Sequence, residues 1–247
     1  MKKYSRYQYQ INTISSLVLS PREQCAIYLK EESEIEKIKI IYPFYQYGEY
    51  EEYNPEKAQY YIPGTSMKGA IGSSRLMVDD ISVEKEKIEL RNMYKIPYIP
   101  QAGELVDGSR KLKAEIFFPM VGVEMLKAGQ CVNGELYTDA DISEIMSAIH
   151  KMSLEKLQQW SKRLSPFVKE GMSVSGDPLQ VTLDTVWQKV NELYYLVEKW
   201  QKNEYLMILG GYKGSFLSHV FEKDEVRNAV YVDMQTQLPH GLVKIVI

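Results

Sequence analysis

The chain opens on an alternation. In "RYQYQINTISSLVLS" (residues 6–20) polar and apolar residues take turns before the sequence becomes apolar, as in a half-buried strand that runs into the interior. Short apolar runs in "CAIYLK" (25–30) and "KIKIIYPF" (37–44) predict two further strands. Residues 45–61 are polar and tyrosine-rich, carry Pro55, and read as a loop. A helix is expected from about residue 66 to 76. "VDDISVEKEKIELRNMY" (78–94) follows as a strand and a charged segment, in which residues 84–87 form a solvated face. Residues 113–138, "KAEIFFPMVGVEMLKAGQCVNGELYT", predict a hairpin of two β-rich runs around Lys127-Ala128-Gly129-Gln130.

The period then changes. "DADISEIMSAIHKMSLEKLQQWSKRL" (139–164) puts Ile142, Ile145, Met146 and Ile149 on one helical face, with Asp139 or Asp141 as the N-cap. A Gly/Ser/Pro stretch at 171–178 interrupts it. A second helix is expected from about 183 to 203, carrying Val186, Val190, Leu193, Leu196, Val197 and Trp200. "GLVKIVI" (241–247) reads as a closing strand. The order strand, helix, strand, strand, helices, strand predicts an α+β fold: a ferredoxin-like (RRM-like) antiparallel sheet with helices on one face. Residues 1–247 are expected to form a single domain, elaborated by a mainly helical insertion at about 139–205.

Composition narrows the function. The 247 residues are 45 % hydrophobic and 26 % charged, ordinary for a globular chain with a sizeable core. No apolar run approaches a membrane span, and "MKKYSRYQYQ" lacks the apolar core of a signal peptide, so a cytoplasmic protein without membrane contact is expected. Cys25 and Cys131 offer neither metal spacing nor a disulfide framework; no metal or cofactor is expected. A net charge of −3, from 30 basic and 33 acidic residues, argues against a free-standing nonspecific nucleic-acid binder, whose affinity rests on neutralising phosphates. It leaves room for a local basic site, or for a subunit whose partners complete the groove. Nineteen tyrosines suit strands and half-buried surfaces, and some suit base stacking.

One stretch has the chemistry of a phosphate site: "YYIPGTSMKGAIGSSRLM" (60–77). Gly64 and Gly69 have the spacing of a P-loop, but the lysine precedes Gly69 and Ala70 follows it, so a nucleotide-binding loop is excluded. The dinucleotide fingerprint is absent as well. What remains is a Gly/Ser/Thr turn into a helix, whose free N–H groups suit an anion; the alternative is a capped helix and nothing more. A second segment, "LGGYKGSFLSHVF" (209–221), repeats the chemistry with Gly210, Gly211, Tyr212, Lys213, Gly214 and Ser215. Two such turns along one groove suit a phosphodiester backbone better than a single nucleotide.

These segments resemble a known family. "YIPGTSMKGAIG" is similar to the "IPGSSIKGAIR" signature of the RAMP superfamily, the ferredoxin-like RNA-binding subunits of CRISPR effector complexes. "FFPMVGVEMLKAGQCVNGELY" resembles that family's strand–turn–strand around a glutamate and a glycine, here Glu124 and Gly129. "ILGGYKGSFLSHVF" resembles its late glycine-rich loop, and "TQLPHGLVKIVI" its closing strand. The order and spacing are most like the type III-A (Csm) subunit on the guide RNA's 3′ side. The family's early glycine-rich loop is reduced here to "ISSLVLSPREQ", and Gly72 stands where the family has arginine, with Arg75 one turn later. The resemblance implies a subunit of an antiviral ribonucleoprotein complex whose partners are crRNA (guide RNA) and other type III effector subunits. It implies RNA contacts at Gly64, Thr65, Ser66, Lys68, Gly69 and Arg75, and at Gly210, Gly211, Tyr212, Lys213, Gly214 and Ser215.

Catalysis finds little support in the residues. Metal-independent RNA cleavage relies on histidines as acid and base, and the chain has His150, His219 and His240. His150 falls in an amphipathic helix, His219 one turn after the glycine-rich loop with no paired base, and His240 in a turn. Asp79 and Asp80 are adjacent, so on a strand they face opposite ways, and the early loop offers only Glu23. No enzyme is expected; the alternative is a metal-independent CRISPR-repeat endoribonuclease of the same fold.

Overall fold

The structure, a computed structural model, describes residues 3–21, 25–30, 37–96, 112–168, 181–211 and 229–247. In chain order the elements begin with β1 (Ser5–Thr13), β2 (Ile27–Tyr28), β3 (Ile40–Tyr42), β4 (Gln46–Tyr47) and β5 (Gln59–Ile62). Helix α1 (Gly64–Ile71) is followed by β6 (Leu76–Val78), β7 (Ile81–Val83), β8 (Ile88–Asn92), β9 (Tyr94–Ile96), β10 (Glu115–Ile116), β11 (Val121–Leu126) and β12 (Cys131–Thr138). Then come α2 (Ile142–Leu164), α3 (Leu183–Val197), β13 (Glu204–Ile208), β14 (Val230–Asp233), β15 (Leu238–Pro239) and β16 (Leu242–Val246).

The alternation in β1 does what it predicts. Tyr9, Ile11 and Thr13 are buried on one face while Gln8 and Gln10 are exposed on the other. β1 lies centrally in a five-stranded sheet of order β13-β16-β1-β12-β6, antiparallel throughout, so that β1 and β6 run parallel with β12 between them. Met67 and Ile71 of α1, and Ile142, Met146 and Ile149 of α2, join Tyr9, Ile11, Leu136, Val243 and Ile245 in the main core. Asp141 caps α2, its carboxylate accepting from Ser143 N at 2.8 Å, and the predicted apolar stripe is the buried one.

β13 and β16 are buried on both faces. Tyr205, Met207, Val243 and Ile245 face the main core, whereas Leu206, Ile208 and Leu242 face a second core with Leu157, Trp160 and Leu164 of α2 and Val186, Val190 and Val197 of α3. The antiparallel sheet β10-β9-β14-β15 lends Ile96, Val230, Val232 and Leu238 to that second core. Both long helices therefore pack on the sheets rather than standing apart as a bundle. α3 ends at Val197, short of the predicted 203.

The expected hairpin at 113–138 is a correction. β12 lies in the main sheet, but β11 pairs with β3 in parallel and with β8 antiparallel in the sheet β2-β3-β11-β8. The turn does form, with Gly129 at φ 74°, yet its arms join different sheets. The segment 14–19 makes that division possible. Ile14 N and Ser15 N donate to Leu242 O, Leu17 pairs with Leu126, Ser16 O accepts from Gly241 N, and Leu19 O accepts from Tyr45 N. Its centre is a buried polar knot: Ser16 N donates to Asp233 Oδ2 (2.9 Å), and Ser16 Oγ lies 2.8 Å from His240 Nδ1. Ser15 Oγ donates to Pro239 O (2.6 Å) and accepts from Leu242 N (3.0 Å). His240 lies in a turn, as expected, and is also a buried anchor there; burial holds its pKa below the usual imidazole value.

Two further expectations change at α1. The helix starts at Gly64 and ends on Gly72, and residues 76–78 form β6. Its first amide is already taken, because Asp80 Oδ1 accepts from Gly64 N at 2.7 Å, and Ser66 N and Met67 N donate to Pro63 O. The carboxylate of Asp80 occupies the favourable end of the helix dipole. Asp79 and Asp80 lie in the connection between β6 and β7, not on a strand. The loop expected at 45–61 also contains the short strands β4 and β5, which pair antiparallel.

Two predictions follow from these contacts. A Cβ on Gly64 would stand 2.0 Å from the Val78 carbonyl oxygen, so Gly64→Ala must push α1 off β6 and is expected to cost about 1–3 kcal/mol in chemical denaturation; an unchanged midpoint would refute this close approach. His240 binds protons more weakly when folded than when unfolded, so its contribution to stability is present above the usual imidazole range and is lost as pH falls through that range. The stability of wild type relative to His240→Gln should therefore fall between about pH 7 and 5. Parallel pH profiles for the two proteins would contradict it.

Candidate nucleic-acid interface

The two glycine-rich segments, far apart in sequence, meet. A surface cleft of about 430 Å³ is lined by Ser66, Gly69 and Ala70 of α1, by Gly210 and Gly211 after β13, by residues 18–21, and by Tyr45. Helical spacing explains the α1 contribution. Gly64, Met67 and Ile71 turn one face into the core, leaving Ser66, Gly69 and Ala70 on the adjoining face toward the cleft.

The far wall depends on Gly210. Its φ of +85° lies in the left-handed region, and a Cβ there would stand 2.5 Å from the Val18 carbonyl oxygen. Gly211 N donates to that same carbonyl at 2.8 Å. Backbone therefore packs on backbone, and the wall carries no side chain. Gly69 differs: it is helical and exposed, with nothing within 4 Å of where a Cβ would be. The fold gains nothing from a glycine there, since alanine favours a helix by about 1 kcal/mol.

The remaining predicted residues divide. Lys68 is exposed next to Gly69 and makes no ion pair with another described residue. Thr65 is exposed at the start of α1, and Gly64 is buried beneath it. Arg75 does not line the cleft. Its Nε donates to Asp139 Oδ1 at 2.9 Å and its Nη2 to Asp139 O at 3.2 Å, fixing the entry to α2. Tyr212, Lys213, Gly214 and Ser215 lie outside the described residues, as do Glu23 and His219.

Sequence reasoning missed Tyr45, the bond from Gly64 N to Asp80 and the contribution of residues 18–21. The signal for the tyrosine was the pattern Tyr45-x-Tyr47 facing Tyr60-Tyr61, which is a two-residue alternation inside a stretch taken for loop. Glu124 explains how that hairpin is held. It is buried, its Oε1 accepting from the Tyr60 hydroxyl (2.5 Å) and its Oε2 from Phe44 N (3.0 Å). Burial pushes its carboxyl above the usual range. The glutamate singled out in the sequence is therefore a buried support, one residue away from Tyr45 and Tyr61 on each strand.

The described histidines are committed to structure. His150 Nδ1 accepts from Leu206 N at 2.8 Å, tying α2 to β13, and burial holds its pKa below the usual value. His240 is locked onto Ser16. Among the described residues no three His, Cys, Asp or Glu side chains are grouped to hold a metal, and no helix is long and apolar enough to cross a membrane.

No protein-family model matches the chain, and no curated protein matches its sequence. Among solved structures it is similar to a chain of a cryo-EM structure of a Csm–crRNA–target RNA ternary complex in a type III-A CRISPR–Cas system. The TM-score is 0.38 at 12 % identity, over 78 % of this chain and 51 % of that one. This chain therefore spans about half the length of its counterpart.

Proposed function

We propose that the chain is a noncatalytic RNA-binding subunit of a type III CRISPR effector ribonucleoprotein, holding the guide RNA backbone in the cleft between α1 and Gly210–Gly211. The observation that carries this reading is the convergence itself: two segments chosen for phosphate chemistry, separated by more than half the chain, wall one cleft. Gly69 supports it, because a side chain is missing where the fold leaves space for one and a polymer backbone would need close approach. The strand order adds support, with β16-β1-β12-β6, β1 parallel to β6 and α1 between them in sequence, as a ferredoxin-like sheet has. The ordered RAMP-like motifs point the same way.

In this reading Ser66, the exposed Lys68 and the Gly69 face meet phosphates, while Thr65 and Gly64 shape the turn. Gly210 and Gly211 give the opposite wall, and the RNA contacts that the resemblance implies at Tyr212, Lys213, Gly214 and Ser215 belong to the same proposal. Arg75 takes part only by exchanging Asp139 for a phosphate. The Asp80 carboxylate keeps phosphate off the helix tip, so contact runs along the side of α1. Because the chain is slightly acidic, neighbouring subunits on the same guide strand raise the effective concentration of each contact. No catalytic role is assigned; cleavage of repeat RNA by the purified chain in EDTA would replace this reading with an endoribonuclease.

Gly69→Ala separates fold from site. It is expected to stabilise the isolated chain by about 0.5–1 kcal/mol and yet weaken guide-RNA retention in the assembled complex. Unchanged retention would remove Gly69 from the interface. Lys68→Ala should lower affinity and flatten the slope of log K against log salt by about one phosphate contact. An unaltered slope would return the lysine to an ordinary surface role.

A further inference from the structure

Three tyrosines form a row that leads away from the cleft, beginning at Tyr45. Tyr47 lies flat on Tyr61, with ring centroids 4.1 Å apart and planes within 11°, and Tyr45 tilts against Tyr61 at 5.9 Å. Tyr45 is itself a cleft wall. The far end of the row is open: Tyr47 is 53 % exposed. Alternation along β4 and β5 puts these rings on one face, while Phe44 and Tyr60 on the other are held by the buried Glu124.

The row is also locked to the helix that forms the cleft. The Tyr47 hydroxyl donates to Asp80 Oδ2 at 3.2 Å, and Asp80 Oδ1 accepts from Gly64 N at 2.7 Å, so one carboxylate joins the outer ring to the start of α1. That carboxylate sets the charge pattern too. Beside Tyr47 it disfavours phosphate, whereas the exposed Lys68 and the Gly69 face favour it. What the outer ring accepts is then the uncharged part of a nucleotide. A cross-strand aromatic pair would stabilise the hairpin in any case, but a hairpin alone requires neither the continuity with the cleft nor the open outer face.

We propose that Tyr45, Tyr61 and Tyr47 form a base-stacking platform continuous with the cleft, on which single-stranded RNA orders its bases while its phosphates follow α1. This rests on the cleft's holding RNA, as proposed above. Every base has a π-face, so the platform aligns bases without reading their identity.

The test uses the full chain at low ionic strength and two short oligonucleotides of equal phosphate number. One is an oligouridylate carrying a 2-aminopurine reporter, the other an abasic backbone. Wild type should quench the reporter and Tyr47→Phe should do the same. Tyr47→Ala should lose the quench and bind the oligouridylate about 5- to 100-fold more weakly, while binding the abasic strand as wild type does. Reporter quenching by Tyr47→Ala equal to wild type overturns the platform and leaves the cleft standing. An equal loss on the abasic strand also overturns the platform, since the ring would then act only through the hairpin. Wild type binding neither strand overturns cleft and platform together.

Discussion

A stretch without regular structure governs the arrangement of everything else. Residues 14–19 run through the interior, where backbone amides and carbonyls need partners, and most of theirs lie in turn on β16, the Asp233 carboxylate, β11, the Gly241 turn, Gly211 and Tyr45. Leu17 and Val18 are buried while this is done. The main sheet, the β11 sheet and the Gly210–Gly211 wall are therefore all registered against one ribbon of backbone. A side chain at Gly210 would break one of these contacts, the one at Val18.

Where the sequence was legible, the reason was periodicity tied to burial on one side. β1 and the α2 stripe with its Asp141 cap each bury one regular face. The 113–138 stretch misled because strand propensity and a glycine turn say nothing about partners. β11 is buried at nearly every position, Glu124 included, and it is flanked on both edges by β3 and β8; a run without polar/apolar alternation does not reveal such partners. α1 was misplaced at its start for a related reason. Its cap comes from Asp80, which follows it in the chain and sits on another connection, so no local cap residue marks Gly64.

The candidate site was legible at its glycines and silent elsewhere. Gly64, Gly69, Gly210 and Gly211 stand out because their chemistry is local, and the structure brings the last three to one cleft. Tyr45 and Asp80 come from the hairpin and the β6–β7 connection, so their relevance exists only after β5, β7 and α1 have packed. Arg75 shows the converse: a cation well placed in sequence is drawn to Asp139 by a contact that the sequence order does not suggest.

α2 belongs to two interiors at once. Ile142, Met146 and Ile149 close one apolar core, and Leu157, Trp160 and Leu164 close the other. β13 is shared in the same way, by alternate residues. Neither core retains a complete wall if the other dissolves, so melting of either exposes apolar surface in both. Loss of structure is thereby made cooperative across the molecule, and a chain severed between α2 and β13 leaves two fragments that each lack the residues to cover their own interior.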